Sequence, residues 1–448
     1  MMAAETARKD PFAGALDGAA NLPGVALPWL AALREEARGH YAASGLPTVK
    51  VEDWKYTNLN RLGRIGFAPD ANLSPVKVDT VPVGSTLSAE AHLAVLVNGR
   101  FRPDLSSLPE DDTGLEIAGL ADLLERAPDA LQPVLGRIAN GGSMPLVALN
   151  TALWQDGLVI RFKPGVEIEK PVHVVSIGTA GDTPRLFHPR LLILAEENSG
   201  GCVLESHVGV GDGVYFSNAV LEVAVEPGAT LRHYKLQNEH PAAFHIAAAK
   251  ARLASTARYE SFVLQVGARL ARNEIHTHLG GEGIDCRLAG AYLLRGNQHG
   301  DNTTFIDHAA PDSTSHEVYK GVLDDNARGV FQGKILVRKD AQKTDGHQLN
   351  KALMLSRGAE IDSKPELEIY ADDVKCSHGA TAGEIDEDAL FYLRSRGIDA
   401  HTARGLLVEA FVGEAIDEIE DDAARTAFRN VVDGWLTEGK PDGPKNGD

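Results

Sequence analysis

The chain has 448 residues and a net charge of −19, more length than one compact core usually fills and too acidic a balance for a general nucleic-acid binder or an anionic membrane surface. No run of about 18 apolar residues is present to span a bilayer, and Met1 to Asp10 lack the apolar stretch of a secretory signal. The three cysteines, Cys202, Cys286 and Cys376, form neither a disulfide framework nor a CxxC pair, so a reducing cytoplasm is the expected compartment.

Residues 1–144 read as a mostly helical region joined by Pro- and Gly-rich connectors. The clearest helix is 28–44, with Pro28 at its first position, Trp29, Leu30, Leu33, Ala37 and Tyr41 on one face, and Gly45 as its stop. An aromatic pair set in charge follows, Glu52-Asp53-Trp54-Lys55-Tyr56-Thr57. Residues 68–90 are rich in Pro, Ser and Val and read as loop with short strands. A second helical stretch runs over 119–139 through Leu120, Leu123, Leu124, Leu131 and Leu135.

At residues 145–385 the period changes. Apolar and β-branched segments of five to ten residues alternate with Gly, Asp, Asn and Pro, and no helical pattern separates them. This argues against a doubly wound sheet and leaves a sandwich, barrel, propeller or solenoid. Segments starting at Gly329, His347 and Leu367 lie 18 and 20 residues apart, and such a period fits the coils of a parallel β-helix. Residues 386–448 return to helix, with Asp386 and Asp399 as N-caps, Gly397 between them and a third helix through Phe428, Val431, Val432 and Trp435. This segment holds 15 acidic and 7 basic residues. Residues 440–448 read as a frayed tail.

Neither a phosphate-binding GxxxxGK[ST] loop nor a GxSxG elbow is present, and Gly209-Val210-Gly211-Asp212-Gly213 reads as a turn between strands. His276 and His278 share one side of a strand, a spacing that can bind a metal and is more often a solvated face. His308 and His316 invite the same two readings. In Asp372-Asp373-Val374-Lys375-Cys376-Ser377-His378-Gly379-Ala380-Thr381, Cys376 and His378 point the same way on a strand. Thiolate and imidazole suit iron or zinc, but two ligands need others from elsewhere in the fold or from a partner.

The run Cys376-Ser377-His378-Gly379-Ala380-Thr381, with Asp386 to Ile398 behind it, resembles the C-terminal signature of the SufB/SufD family, scaffold subunits of the SUF iron–sulfur cluster assembly machinery. Tyr319 to Val322, Phe331 to Ile335, Ala341 to Asp345, Glu360 to Leu367 and, near the N-terminus, Glu52 to Thr57 resemble the family as well. The likeness is dense from about 315 to 412. Within the family the pattern favours the SufD form: where SufB carries an essential Cys this chain reads Gly346-His347-Gln348-Leu349-Asn350-Lys351, and where SufB has His-Glu-Ala-Thr it reads His378-Gly379-Ala380-Thr381.

The resemblance implies a right-handed parallel β-helix between N- and C-terminal helical regions, and a non-catalytic scaffold. It implies pairing with SufB, binding of the ATPase SufC through the C-terminal helices, and a transient iron–sulfur cluster at the SufB–SufD interface. His378 is then the main cluster ligand and Cys376 a weaker one, with nothing tightly bound in the isolated chain, which could form a homodimer. Leu390, Phe391, Leu406, Leu407 and Phe411 are the expected ATPase-docking set. Two other classes stay in view: a β-helical carbohydrate-active enzyme, usually secreted and with carboxylates on neighbouring coils, and a stand-alone metal enzyme built on His276, His278, His308 and His316.

Overall fold

The computed structural model describes residues 11–17, 22–69, 77–82, 84–88, 90–109 and 114–438. The stretches 1–10 and 440–448, read above as lacking a leader and as a frayed tail, lie outside the described residues. The chain is mainly β, a solenoid of about 8 turns flanked by N- and C-terminal helices. Successive strands alternate between two sheets, one of 11 strands and one of 10, so each coil gives one strand to each. Within the solenoid the neighbours in a sheet are parallel: Phe216 pairs with Phe244, Leu270 with His299 and Arg328 with Glu360.

The coil length corrects the sequence period. Those three pairs lie 28, 29 and 32 positions apart. The segments spaced near 20 are instead consecutive strands, Arg328–Val337, Asp345–Met354 and Glu360–Ile369, which fall alternately in the two sheets. Two strands and two turns close a coil, so the sequence pattern marked half-coils. The true period is written at one corner, where Asn198, Gly228, Thr256, Gly283, Asp312 and Lys343 all take positive φ. The backbone N–H of each donates to a carbonyl one coil on, as from Asn198 to Pro227 and from Gly228 to Ser255. Only two of these six are glycine, which hides the repeat from a search for Gly.

The helix Pro28–Ser44 forms as its sequence predicts. Pro28 opens it and Gly45, at φ 64, closes it with an N–H donated to Tyr41 O at 2.7 Å. The 119–139 stretch differs from its expectation. It breaks into Leu120–Arg126 and Pro128–Leu131, because Pro128 has no N–H to continue the ladder. The N-terminal region also supplies strands, His92–Val97 and Leu115–Gly119, which extend the two sheets. The first residues read as solenoid form instead a buried helix, Pro145–Leu153. Its run Pro-Leu-Val-Ala-Leu-Asn-Thr-Ala-Leu is mostly apolar and buried, and periodicity alone does not separate such a helix from a buried strand. Gly211, at φ 86, turns the chain between Gly200–Val210 and Tyr215–Val225, as expected of that Gly-rich run.

The core has three layers. Inside the coils pack Val203, Leu231, Tyr259, Leu288, Ile193, Val223, Ile306 and Ile335. The outer face of the 11-stranded sheet is covered by N-terminal residues such as Tyr41, Trp54, Leu149 and Trp154. The outer face of the 10-stranded sheet is covered by the helices Ala400–Ile416 and Asp422–Glu438, through Val408, Val412, Ala415 and Phe428 on Leu204, Phe262, Leu264 and Val318. No helix of the described residues is long and apolar enough to cross a membrane.

Charged clamps fasten the N-terminal region. Arg190 and Glu222 form a fully buried ion pair. Glu222 accepts the N–H groups of Gly136, Ile138 and Ala139, while Arg190 donates to Asn150, Thr151 and Ala139 O. The aromatic-and-charge motif is a second clamp. Arg272 lies 4.1 Å over the Trp54 ring, Gln332 donates to Asp53 O at 3.2 Å, and Lys364 pairs with Glu52 at 2.6 Å. Burial lowers the imidazoles of His173, His245 and His308 to about 4 and that of His188 to about 3.

Two outcomes follow from these groups. Removing one partner of the Arg190–Glu222 pair, by Arg190→Met or Glu222→Leu, should cost about 3–5 kcal/mol in urea unfolding, and the double variant less than the sum. The neutral histidines bind protons in the unfolded chain near an ordinary pKa of about 6.5 but not in the folded one. Their stabilisation is therefore complete above that value and is lost as pH falls toward 4. The thermal midpoint should drop across this window, and more shallowly in His308→Gln.

Candidate functional site

In a parallel ladder, registered residues point the same way. In the 10-stranded sheet the interior column runs Leu288, Glu317, Gln348, His378, one residue per coil. Glu317 is 0% exposed and Gln348 is 3% exposed, whereas His378 is exposed. The difference has a simple cause. Strand Lys375–Gly383, which carries His378, is the last of its sheet, and no further coil of the described residues covers the column. His378 is thus an inward-facing residue at an open end. Its ring has no hydrogen bond among the described residues, which leaves both nitrogens available.

Cys376 occupies the neighbouring inward column, registered with Gly346. The expectation that Cys376 and His378 face the same way agrees with this register. Their surroundings differ, however. Cys376 is half-buried and packs on the interior apolar cluster, and burial pushes its thiol up, away from the ligating thiolate. Beneath His378, Gln348 Nε2 donates to Glu317 Oε2 at 2.7 Å. Burial raises the Glu317 carboxyl to about 7, against the hydrogen bond from Gln348. Sequence reading passed over both residues. The signal available was their spacing, 317, 348 and 378, which is one coil per step.

The C-terminal helices begin as predicted. Asp386 accepts from Asp388 N and Ala389 N, and Asp399 from His401 N and Thr402 N. The expected docking set divides. Phe391 is 74% exposed and Leu406 42%. Leu390 is buried, while Leu407 and Phe411 are half-buried, with the Phe411 ring 4.5 Å from Lys320 Nζ. Tyr392, 55% exposed, extends the outer patch beside Phe391.

The four histidines of the metal-enzyme reading are not brought together. His276 lies against the Phe305 ring and His278 pairs with Asp307 at 2.8 Å. His308 is buried beside Ser315 at 2.9 Å, and His316 faces Glu418 at 3.8 Å on the other sheet. Among the described residues no group of three or more His, Cys, Asp or Glu is placed to hold a metal ion.

Comparison with known proteins agrees with this geometry. The SUF system FeS cluster assembly, SufBD core domain, matches residues 177–411, and the SufBD protein N-terminal region matches residues 19–174. The chain is 34% identical to the iron–sulfur cluster assembly protein SufD of Escherichia coli, over 85% of this chain and 87% of that one. It is 32% identical to an iron–sulfur cluster assembly SufBD family protein of Synechocystis, over 86% and 87%, and 29% identical to a chloroplastic protein of Arabidopsis thaliana, over 97% and 92%. The chain is a SufD homologue and belongs to the SufBD family of iron–sulfur cluster assembly proteins.

Proposed function

We propose that this chain is the SufD-type subunit of a cytoplasmic iron–sulfur assembly complex, a non-catalytic scaffold that pairs with a SufB-type chain and binds the SufC ATPase. The observation that carries the reading is the open end of the solenoid, where an inward-facing His378 stands exposed on the last strand. An uncovered strand edge presents backbone donors and acceptors that pair readily with another chain. A SufB-type partner docked there covers the edge and completes the coordination sphere of a nascent cluster, with His378 as this chain's ligand. In the absence of that partner the same edge can pair with a second copy, giving a homodimer.

The cluster is cargo, formed and then given away. Neutral imidazole binds iron and leaves a cluster more easily released than four thiolates would. Cys376 is the lesser contributor, because its thiol is half-buried and held protonated. The ATPase docks on the outer patch of the C-terminal region, where Phe391 and Leu406 are exposed, while Leu390, Leu407 and Phe411 seat the helices. These helices also cover the 10-stranded sheet, so docking is tested with surface substitutions rather than by truncation.

His378→Ala should leave the chain folded and bound to its partners, since one exposed side chain adds little to a large core, and should fail to complement a strain lacking the gene under iron limitation. Cys376→Ala should complement nearly as well as wild type. Growth of the His378→Ala strain at the wild-type rate would refute the site, and loss of the complex in pull-down would make His378 structural. Phe391→Asp with Leu406→Asp should weaken ATPase binding by about 30-fold or more, the scale of losing one hot spot, with the thermal midpoint unchanged. Unaltered affinity, measured by calorimetry, would remove the patch from the docking surface.

A further inference from the structure

Gln348 lies one coil behind His378 in the same interior column. Its amide is tightly placed. Nε2 donates to Glu317 Oε2 at 2.7 Å, and across the interior a Cβ on Gly333 would sit 2.1 Å from that nitrogen. The glycine leaves the room that the amide occupies. With its NH₂ donated to Glu317 Oε2, the carbonyl oxygen of the amide is the free end. That oxygen, Gln348 Oε1, is buried and has no hydrogen-bond partner. A buried polar atom left unpaired is unfavourable and calls for an explanation.

The next strand of the same sheet offers Cys376, His378 and Ala380 as inward-facing residues. Ala380 has no side-chain donor and a thiol is a weak one, so on this strand His378 alone carries a strong donor; Ser363, on the other strand of that coil, is engaged by Asn350 at 2.9 Å. Its ring is unpartnered among the described residues. Adjacent strands lie about 4.8 Å apart, and an exposed side chain changes rotamer freely, so the imidazole is free to turn a ring N–H toward that oxygen.

We propose that Gln348 is a positioning residue for His378: its carbonyl oxygen, held by Glu317 and the space over Gly333, accepts one ring N–H of His378 and so fixes the tautomer whose other nitrogen faces the open end as a metal ligand. Metal-binding histidines commonly donate their second ring N–H to a carbonyl or carboxylate, and loss of that acceptor weakens metal binding or activity by about 10–100-fold. The proposal rests on the reading of His378 as a cluster ligand, but its direct consequence, a single tautomer, exists without any cluster.

The test uses the full chain labelled with ¹⁵N-histidine, the His378 signals being assigned by their loss in His378→Ala. Wild type should show one dominant neutral tautomer at His378 above pH 7.5. Gln348→Leu, which keeps the bulk and removes the acceptor, should show a mixture. Gly333→Ala, which displaces the amide without deleting it, should do the same. In complementation Gln348→Leu should lower cluster-dependent growth or enzyme activity by about 10-fold or more, with the complex intact in pull-down. An unchanged tautomer ratio in both variants would overturn the proposal even if His378→Ala abolishes assembly. If the ratio shifts while His378→Ala assembles clusters normally, positioning stands and the ligand reading fails.

Discussion

The parallel ladder is the constraint on which this molecule depends. Each strand of the solenoid satisfies its backbone N–H and C=O groups on the coils before and after it, and a parallel pairing cannot close on itself within one coil. Each coil therefore relies on its neighbours, and the stack must stop somewhere. At the N-terminal side the stop is built into the chain: Leu115–Gly119 runs antiparallel to Gly157–Phe162, and His92–Val97 and Arg100–Phe101 close the other sheet. At the C-terminal side no such strand follows Lys375–Gly383 among the described residues. The asymmetry between a finished end and an unfinished one is the structural basis for expecting a partner at residues 375–383.

The ladder also lets the interior hold polar groups. Registered columns bring polar side chains from successive coils within reach of one another, so they hydrogen-bond inside the coil. Glu205 lies between His207 and His233, and Lys235 reaches His245 at 3.2 Å. Burial alone would raise the Glu205 carboxyl, but His207, Lys235 and the hydrogen bonds from His207 and His233 hold it well below the usual carboxylate range. Nearer the open end the column thins to Glu317 and Gln348, each with an unpaired oxygen. These two oxygens are among a number of unpaired buried polar atoms spread over the described residues, and an apolar interior would have been the simpler way to stabilise a coil.

The motifs that carry the family likeness divide into two kinds once placed. Glu52 to Thr57, the Gln332 region and the Lys364 region meet on the outer face of the 11-stranded sheet. There Glu52 pairs with Lys364, Asp53 O accepts from Gln332, and Thr57 meets His299 at 2.9 Å. Three segments far apart in sequence thus serve one clamp between the N-terminal region and the last coils. The Cys376 to Thr381 run makes no comparable set of contacts, with Ser377 meeting His347 at 2.7 Å on its outer side.

Much of this was legible in the amino-acid sequence because it depends on local chemistry. Pro28 and Gly45 mark their helix, Asp386 and Asp399 cap theirs, and the switch from helical to strand spacing marks the solenoid. The resemblance around Cys376 to Thr381 singled out His378. The sequence period near 20 was misleading, because strands of two sheets look alike along the chain and only pairing shows that a coil spans two of them. The helix Pro145–Leu153 and the strand His92–Val97 are both dominated by apolar residues, which blurs the periodicity that would tell them apart. Pairing also decides what no local pattern contains: that His378 faces inward at an uncovered end, that Cys376 is drawn toward the apolar interior, and that Gln348 and Glu317 stand behind His378. These are relations between residues about thirty positions apart, and they exist only when the backbone of one coil is hydrogen-bonded in register to the next.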